Sequence, residues 1–398
     1  MTATNSSAAG FNRRWAFRFV IFLGVVSFFA DMTYEGARSI TGPFLQSLGA
    51  SATVVGIVAG FGELVAYGLR LFSGRIADRT GEYWPITICG YMLNLLSVPL
   101  LTFAASWPVA SLLIILERTG KAVRNPARDA MLSYAASETG RGWGFGLHKA
   151  LDQSGALLGP LMVALLLLLH HGVFRAAFAW LALPAVLALA TLFAARSQYR
   201  NPRELEKTRT HEDHGFSAGG VWFYTVTVGL LAAAYTDFPL IAFHLSRRHL
   251  FSSSSVPLLY SLGMGAEAIT ALIFGHLLDR AGFWTTIAGT VIGLLFAPLV
   301  FLGGKGLVIA GMLVWGLGLG LQESAMRAVL GSMVAPERRA SAYGAFDTLY
   351  GIFWFAGSAL MGALYDRSLM ALVWFSAGCQ ALAVVLLLRF RRLKTVGA

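Results

Sequence analysis

The sequence predicts an all-α membrane protein: twelve transmembrane helices in two pseudo-symmetric six-helix bundles. Composition is the first observation behind this. The chain has 398 residues, of which 56% are hydrophobic and 13% charged, and its mean hydropathy is +0.65. A soluble domain carries about 25% charged residues, so most of this surface is not built for water. The second observation is that apolar runs such as "LLGPLMVALLLLL" and "AGCQALAVVLLL" recur from end to end. They read as membrane helices, and the alternating pattern of an outer-membrane barrel is absent from the sequence. The third is internal repetition at about half the chain length.

Scanning with a window of about 19 residues places span centres near residues 32, 64, 92, 115, 157, 183, 232, 267, 292, 318, 352 and 379. One long polar stretch, Arg196 to Gly220, separates six spans from six. The predicted units are therefore residues 1–195, a central cytoplasmic loop over 196–217, and residues 218–398. With the N-terminus inside, twenty Lys and Arg fall on the cytoplasmic side, against five (Arg175, Arg247, Arg248, Lys305 and Arg367) on the other. The positive-inside rule then puts both termini in the cytoplasm. The net charge of +11 is read as this topology and not as a nucleic-acid surface. The polar start "MTATNSSAAGFNRR" runs straight into a span, without the pattern of a cleavable signal peptide. Cys89 and Cys379 lie in apolar segments and imply no disulfide.

The repetition is specific. "SGRIADRTG" around Asp78 returns as "FGHLLDRAG" around Asp279, 201 residues on, each after the second span of its half. "ASETGRGWGFG" near Glu138 is echoed by "APERRASAYGAFD" near Glu337, 199 residues on. Two matches at nearly one offset indicate two parallel halves. The loop "GRIADRTG", Gly74 to Gly81, resembles the signature of the major facilitator superfamily of secondary transporters. "GKAVRNPARDAML" followed by "GFGLHKALDQSGALLGP" is similar to a prokaryotic branch of uncharacterised transporters. The resemblance covers the whole chain and implies residence in a prokaryotic cytoplasmic (inner) membrane. It also implies that Asp78, Arg79, Asp279 and Arg280 are gating-loop residues. The family's basic residues after the second glycine are replaced here by Glu82-Tyr83-Trp84. "GALLGP", Gly155 to Pro160, resembles part of a pattern associated with antiporters, without its following paired glycines.

Charged residues inside the spans carry the functional reading. In the first span, Asp31, Glu35 and Arg38 share one helix face. Phe19 to Leu48 is 30 residues, roughly 45 Å of helix, and its midpoint near Thr33 puts both acids deep. An ionised side chain at the bilayer centre costs about 2.5–3.5 kcal/mol on insertion scales, so such residues face the bundle interior and mark ion or substrate pathways. One acid can pair with Arg38. Two acids against one base leave a carboxylate over, suited to carry a proton.

In the second span Glu63 and Arg70, seven apart, read as a structural pair. The fourth carries the densest cluster, "ERTGKAVRNPARDA", in which Glu117, Lys121, Arg124 and Arg128 follow one face as far as Pro126. It reads either as a basic wall that attracts an anionic substrate or as a cytoplasmic lock against Asp78 or Asp129. By the resemblance, Arg118 stands where the family has an arginine linked to coupling. In the fifth, His148 and Asp152 are one turn apart and read as a titratable pair or as part of a gate. In the seventh, Asp237 follows Glu35 by 202 residues, and Pro239 predicts a helix distortion there. His244 shares its face and reads as a helix contact. Glu267 in the eighth has no basic residue within two turns and reads as functional, whereas Glu323 and Arg327 in the tenth have ion-pair spacing.

Other chemistries find little support. "HEDH" at His211 to His214 offers two histidines and no further ligand run, so no metal site is expected. No phosphate-binding loop, nucleophile elbow or helical metalloprotease motif occurs. The expectation is a transporter and not an enzyme, a monomer without cofactor, whose partners are protons, a small-molecule substrate and the lipid bilayer, with no nucleic acid. Asp31, Glu35, Arg38, Asp237 and Glu267 are the expected proton and substrate residues, with Arg118, Lys121 and Arg124 as fourth-helix cations. Alternating access with export of a small organic solute is the leading expectation. Uptake of a nutrient, an anion or a metal complex is the alternative, and a transporter-shaped receptor or lipid-handling protein without ion coupling is a third.

Overall fold

Helices alone make up the regular structure that the computed structural model describes, over residues 3–139, 141–200, 218–326 and 339–396 with 329, 330 and 333. The first half comprises α1 (Ala3–Ser47), α2 (Ala52–Thr80), α3 (Tyr83–Leu100), α4 (Trp107–Thr139), α5 (Arg141–Leu169), α6 (Phe174–Trp180) and α7 (Ala182–Gln198). The second comprises α8 (Ala218–Ala234), α9 (Phe238–Arg247), α10 (Ser255–Ala281), α11 (Trp284–Gly293), α12 (Phe296–Leu302), α13 (Lys305–Leu321), α14 (Arg339–Arg367) and α15 (Leu369–Val396). Ten helical stretches are long and apolar enough to cross a membrane, some of them made of two consecutive helices. Helix α13 is a shorter apolar helix of 17 residues, and α4 spans 33 residues with seven charged side chains. Cys89 lies on the exposed surface and Cys379 is half-buried, both free.

The backbone repeats where the sequence does. Helix α2 ends at Gly81 with φ 72°, and α10 ends 201 residues later at Gly282 with φ 59°. Both glycines have a positive φ, which glycine adopts without a Cβ penalty, and Gly81 has the full left-handed conformation of a helix C-cap. The motif residues Asp78 and Arg79 thus belong to the last turn of α2, and the connection to α3 is only Gly81 and Glu82. Asp279 and Arg280 occupy the same place at the end of α10.

Glycines set how closely the helices approach. Gly155 and Gly159 of α5 lie against the main chain of Phe28 and Met32, so a Cβ at either would meet a carbonyl of α1. That is the small-residue packing that substitutes for a hydrophobic drive inside lipid. Between the two halves, α1 packs on α9, α2 on α14, and α5 on α10. At the end carrying the α1–α2 turn these contacts are tightest, with Gly42 against Pro239 and Gly56 against Ser358 and Gly362. There Asp366 Oδ2 of α14 accepts hydrogen bonds from the Thr53 amide (2.8 Å) and the Thr53 hydroxyl (2.7 Å), while its Oδ1 accepts from the Ala52 amide (3.3 Å) and lies 3.6 Å from Arg247 Nη1. A carboxylate from α14 therefore caps the first turn of α2.

Candidate functional site

The seventh apolar segment breaks where Asp237 and Pro239 occur. Residues Tyr235 to Asp237 separate α8 from α9, and Asp237 occupies the N-cap position of α9 with extended backbone. Neighbouring aromatic groups hold the opened backbone: the Tyr235 hydroxyl donates to the Trp315 carbonyl at 2.7 Å, and Trp315 Nε1 donates to the Thr236 carbonyl at 2.9 Å. The Asp237 side chain does not cap its own helix. It accepts from Arg38 Nη2 of α1 at 2.5 Å, and the same nitrogen lies 2.9 Å from Glu63 Oε1 of α2.

From that junction an ion-pair chain crosses the first half. Glu63 is 3.6 Å from Arg118, Arg118 is 3.2 Å from Glu117, and Asn94 Nδ2 of α3 donates to Glu117 Oε1 at 2.7 Å. Glu63, Glu117 and Asp237 are at most 7% exposed. Each of these buried carboxylates has a counter-charge or a donor, as low dielectric requires.

A second set of contacts surrounds Glu35. The Tyr260 hydroxyl of α10 donates to Glu35 Oε2 at 2.5 Å, and Lys121 Nζ stands 3.8 Å from Oε1. Asp31 lies 3.9 Å from Arg124 Nη2, whose guanidinium also rests 4.2 Å over the Tyr91 ring. Arg128 holds Asp129 at 2.8 Å and donates to the Ser27 hydroxyl, which meets His148 Nε2 at 2.9 Å. Lys149 lies 3.4 Å from Asp152, and Gln153 of α5 donates to Glu267 of α10 at 3.4 Å.

Most of this second set, with Arg38 and Glu63, lines a cavity of about 420 Å³, whereas Asp237, Glu117, Arg118, Ser27 and Tyr91 are not among its lining residues. Its walls differ in chemistry. Helices α1, α2, α4 and α5 supply nearly all the charges, including Asp31, Glu35, Arg38, Lys121, Arg124 and Asp152. Helices α10, α13 and α14 supply Tyr260, Met264, Trp315, Tyr350 and Trp354, with Glu267 as the acid of that wall. The lining extends to Arg128, Asp129, Leu132 and Phe145, away from the tight α1–α2 end.

The structure thus gathers Asp31, Glu35, Arg38, Glu267, Lys121 and Arg124 at one cavity and brings Asp237 to its edge through Arg38. The partners differ from those that spacing along one helix suggests. Arg38 pairs with Glu63 and Asp237, not with Asp31 or Glu35, because two carboxylates from packed neighbours meet its Nη2 while Tyr260 and Lys121 serve Glu35. Glu63 pairs with Arg38 and Arg118, and Arg70 instead faces Asp347 at 4.0 Å. His148 meets Ser27, and Asp152 meets Lys149. Asp78, Arg79 and Arg280 are exposed helix-end residues outside the cavity lining. His244 is buried elsewhere, with Nδ1 3.0 Å from the Tyr365 hydroxyl. The Asp279 and Glu323 side chains, Arg327 and the HEDH stretch lie outside the described residues. Sequence reasoning passed over the aromatic wall. Tyr260 could have been found, since it precedes Glu267 by seven residues and so shares its face.

Comparison with known proteins agrees with this architecture. The chain is 41% identical over 388 residues to an uncharacterised protein of Mycobacterium tuberculosis, covering 94% of this chain and 93% of that one. It is 26% identical to an uncharacterised MFS-type transporter of Methanocaldococcus jannaschii, covering 88% and 89%. Among solved structures, a point variant of the nucleoside transporter NupG superposes with a TM-score of 0.77 at 14% identity, covering 94% of this chain and 99% of that one. The family model of the Major Facilitator Superfamily matches residues 21–358. With intramembrane charges gathered around one cavity, this is a membrane transporter and not an enzyme, and the chain belongs to the Major Facilitator Superfamily.

Proposed function

We propose that the protein is a proton-driven secondary transporter that moves a small organic solute by alternating access. The observation that carries this reading is the Arg38 junction. One guanidinium ties Glu63 of α2 to Asp237 at the helix break of the other half, at the wall of a cavity whose acids lie in mid-span. Protonation of Asp237 or Glu63 would weaken that link, and loss of a link between halves is what a rocking motion requires. Asp31, Glu35 and Asp237 are the proposed proton and substrate residues, followed by Glu267, with Arg38 as their charged partner.

In this reading α4 and α13 join the ten clearly apolar stretches to make twelve spans. Residues 1–195 and 218–398 form the two bundles, 196–217 is the cytoplasmic loop between them, and both termini are cytoplasmic. The protein works as a monomer in the inner membrane of a prokaryote. Asp78 and Arg79, with Asp279 and Arg280, act at the cytoplasmic ends of α2 and α10 as gating residues. The tight α1–α2 end then faces outward, and the cavity is approached from the cytoplasm. The stretch Gly155 to Pro160 favours export as the working direction. The second reading, uptake of an anionic solute, is favoured by Lys121 and Arg124 of α4, which line the cavity.

A thermal-shift screen of the purified protein at two pH values tests the proposal. A ligand at 100 times its Kd stabilises by about 2.7 kcal/mol, which a shift in Tm registers. Hits whose effect changes with pH in the wild type, and not in Glu35→Gln or Asp237→Asn, support proton linkage. Hits with the same pH dependence in both variants count against it, and a complete lack of solute hits would favour the receptor or lipid-handling alternative.

A further inference from the structure

We propose that the cavity binds an amphipathic organic anion, with its anionic group at Lys121 and Arg124 of α4 and its ring or apolar body against the aromatic wall of α10, α13 and α14. This rests on the transport reading but not on the direction of transport.

Unmet donors at the cavity are the first ground. Lys121 and Arg124 are one turn apart on α4 and both line the cavity. Lys121 carries three N–H donors and makes no hydrogen bond among the described residues. Glu35 Oε1 stands 3.8 Å away, and Nζ lies 4.1 Å over the Tyr34 ring. Its side chain is 18% exposed, so a solute can reach it. Behind it, Arg124 is fully buried, and its Nε and Nη1 have no hydrogen-bond partner among the described residues. Asp31 approaches only Nη2, at 3.9 Å. Buried donors left unmet are costly, and an anion seated at Lys121 places negative charge beside both.

Most acids of the cavity are served, although Asp31 Oδ1 makes no hydrogen bond among the described residues and has Arg124 at 3.9 Å. Glu35 is bonded by Tyr260, Asp152 has Lys149, and Glu267 has Gln153. A cationic solute at Glu35, Asp152 or Glu267 would have to displace one of these partners, whereas an anion at Lys121 competes only with the 3.8 Å approach of Glu35.

Segregation of the walls is the second ground. Opposite α4, the cavity presents Tyr260, Met264, Trp315 and Trp354, and Trp354 Nε1 has no hydrogen-bond partner among the described residues. Apolar pockets with a few convergent polar groups orient a ligand by its charged end. A small inorganic anion would leave this wall uncovered. The same aromatic faces suit a cation, so the charge of the ligand is the decisive variable.

The test is binding of three probes that share one naphthalene ring system to the purified full chain, followed by calorimetry: 2-naphthoate, 2-naphthamide and 2-naphthylmethylammonium. Naphthoate is expected to bind at least tenfold tighter than either of the others. Lys121→Gln should remove that preference and Lys121→Arg should keep it. Because a change at Lys121 can disturb folding, Asn125→Asp is the second variant: a negative charge one residue from Arg124 should weaken naphthoate about tenfold while sparing the amide. Equal or tighter binding of the amide or the ammonium probe overturns the inference, and so does absence of naphthoate binding at millimolar concentration. Failure here is separable from failure of the transport reading. A neutral or cationic solute carried in a manner that depends on pH and on Glu35 would leave transport standing and remove only the anion.

Discussion

Arg38 is the residue on which the ion-pair chain turns, because it holds two buried carboxylates from different elements. Replacing it with Met leaves Glu63 and Asp237 without that counter-charge, and breaking a buried pair from one side costs about 3–5 kcal/mol. Arg38→Met should therefore lower the unfolding Tm in detergent, and the double variant with Asp237→Asn should recover part of the loss. Additive losses would show that the pair is not coupled in the folded protein. Tyr260→Phe makes a gentler probe. It removes one hydroxyl from Glu35 and little volume, so the fold should persist while the pH profile of transport moves. An unchanged profile would separate Glu35 from proton handling.

At the scale of elements, the α1–α2 end is held by geometry that single substitutions can open. Asp366 caps the first turn of α2 from α14, and loss of a cap costs about 0.5–2 kcal/mol. Asp366→Ala should raise thiol labelling of a cysteine placed at Leu48 in membranes, because the closed end loses its tie. Labelling no faster than in the parent would show that the contact does not govern opening. Gly155→Val tests the α1–α5 seam. Its Cβ would meet the Phe28 carbonyl, and overpacking of this kind costs about 1–3 kcal/mol, read as lower Tm and lower yield of folded protein.

Much of this level was legible in the sequence. The apolar runs follow from the hydrocarbon that surrounds a span and their helical form from the need to satisfy backbone groups there, and Asp237 with Pro239 marks in the sequence the break between α8 and α9. The motifs around Asp78 and Asp279 read as short loops after a span, whereas both aspartates belong to the last helical turn and the chain leaves the helix only at Gly81 and Gly282. The partners of Arg38 were not legible, because they depend on how α1, α2 and α9 pack, and Arg38 and Asp237 are 199 residues apart. Spacing along one helix proposes neighbours on that helix only. The aromatic wall was missed for a related reason: in a chain with ten Trp and twelve Tyr, nothing local separates a cavity aromatic from one facing lipid.

At the scale of the molecule, contacts of α1 with α9, α2 with α14 and α5 with α10 join elements from the two halves of the sequence beside a charged cavity. Family membership accounts for the architecture, and the residues at the cavity are what distinguish this chain within so broad a family. The central claim is that solute movement is tied to proton movement through those residues. The most direct measurement is internal pH in proteoliposomes containing a trapped fluorescent indicator, recorded as a solute from the thermal-shift screen is added outside. The account predicts a solute-dependent pH change in the wild type that disappears in Glu35→Gln and Asp237→Asn. Solute flux in the wild type without any pH change, or an undiminished pH change in both variants, would contradict it.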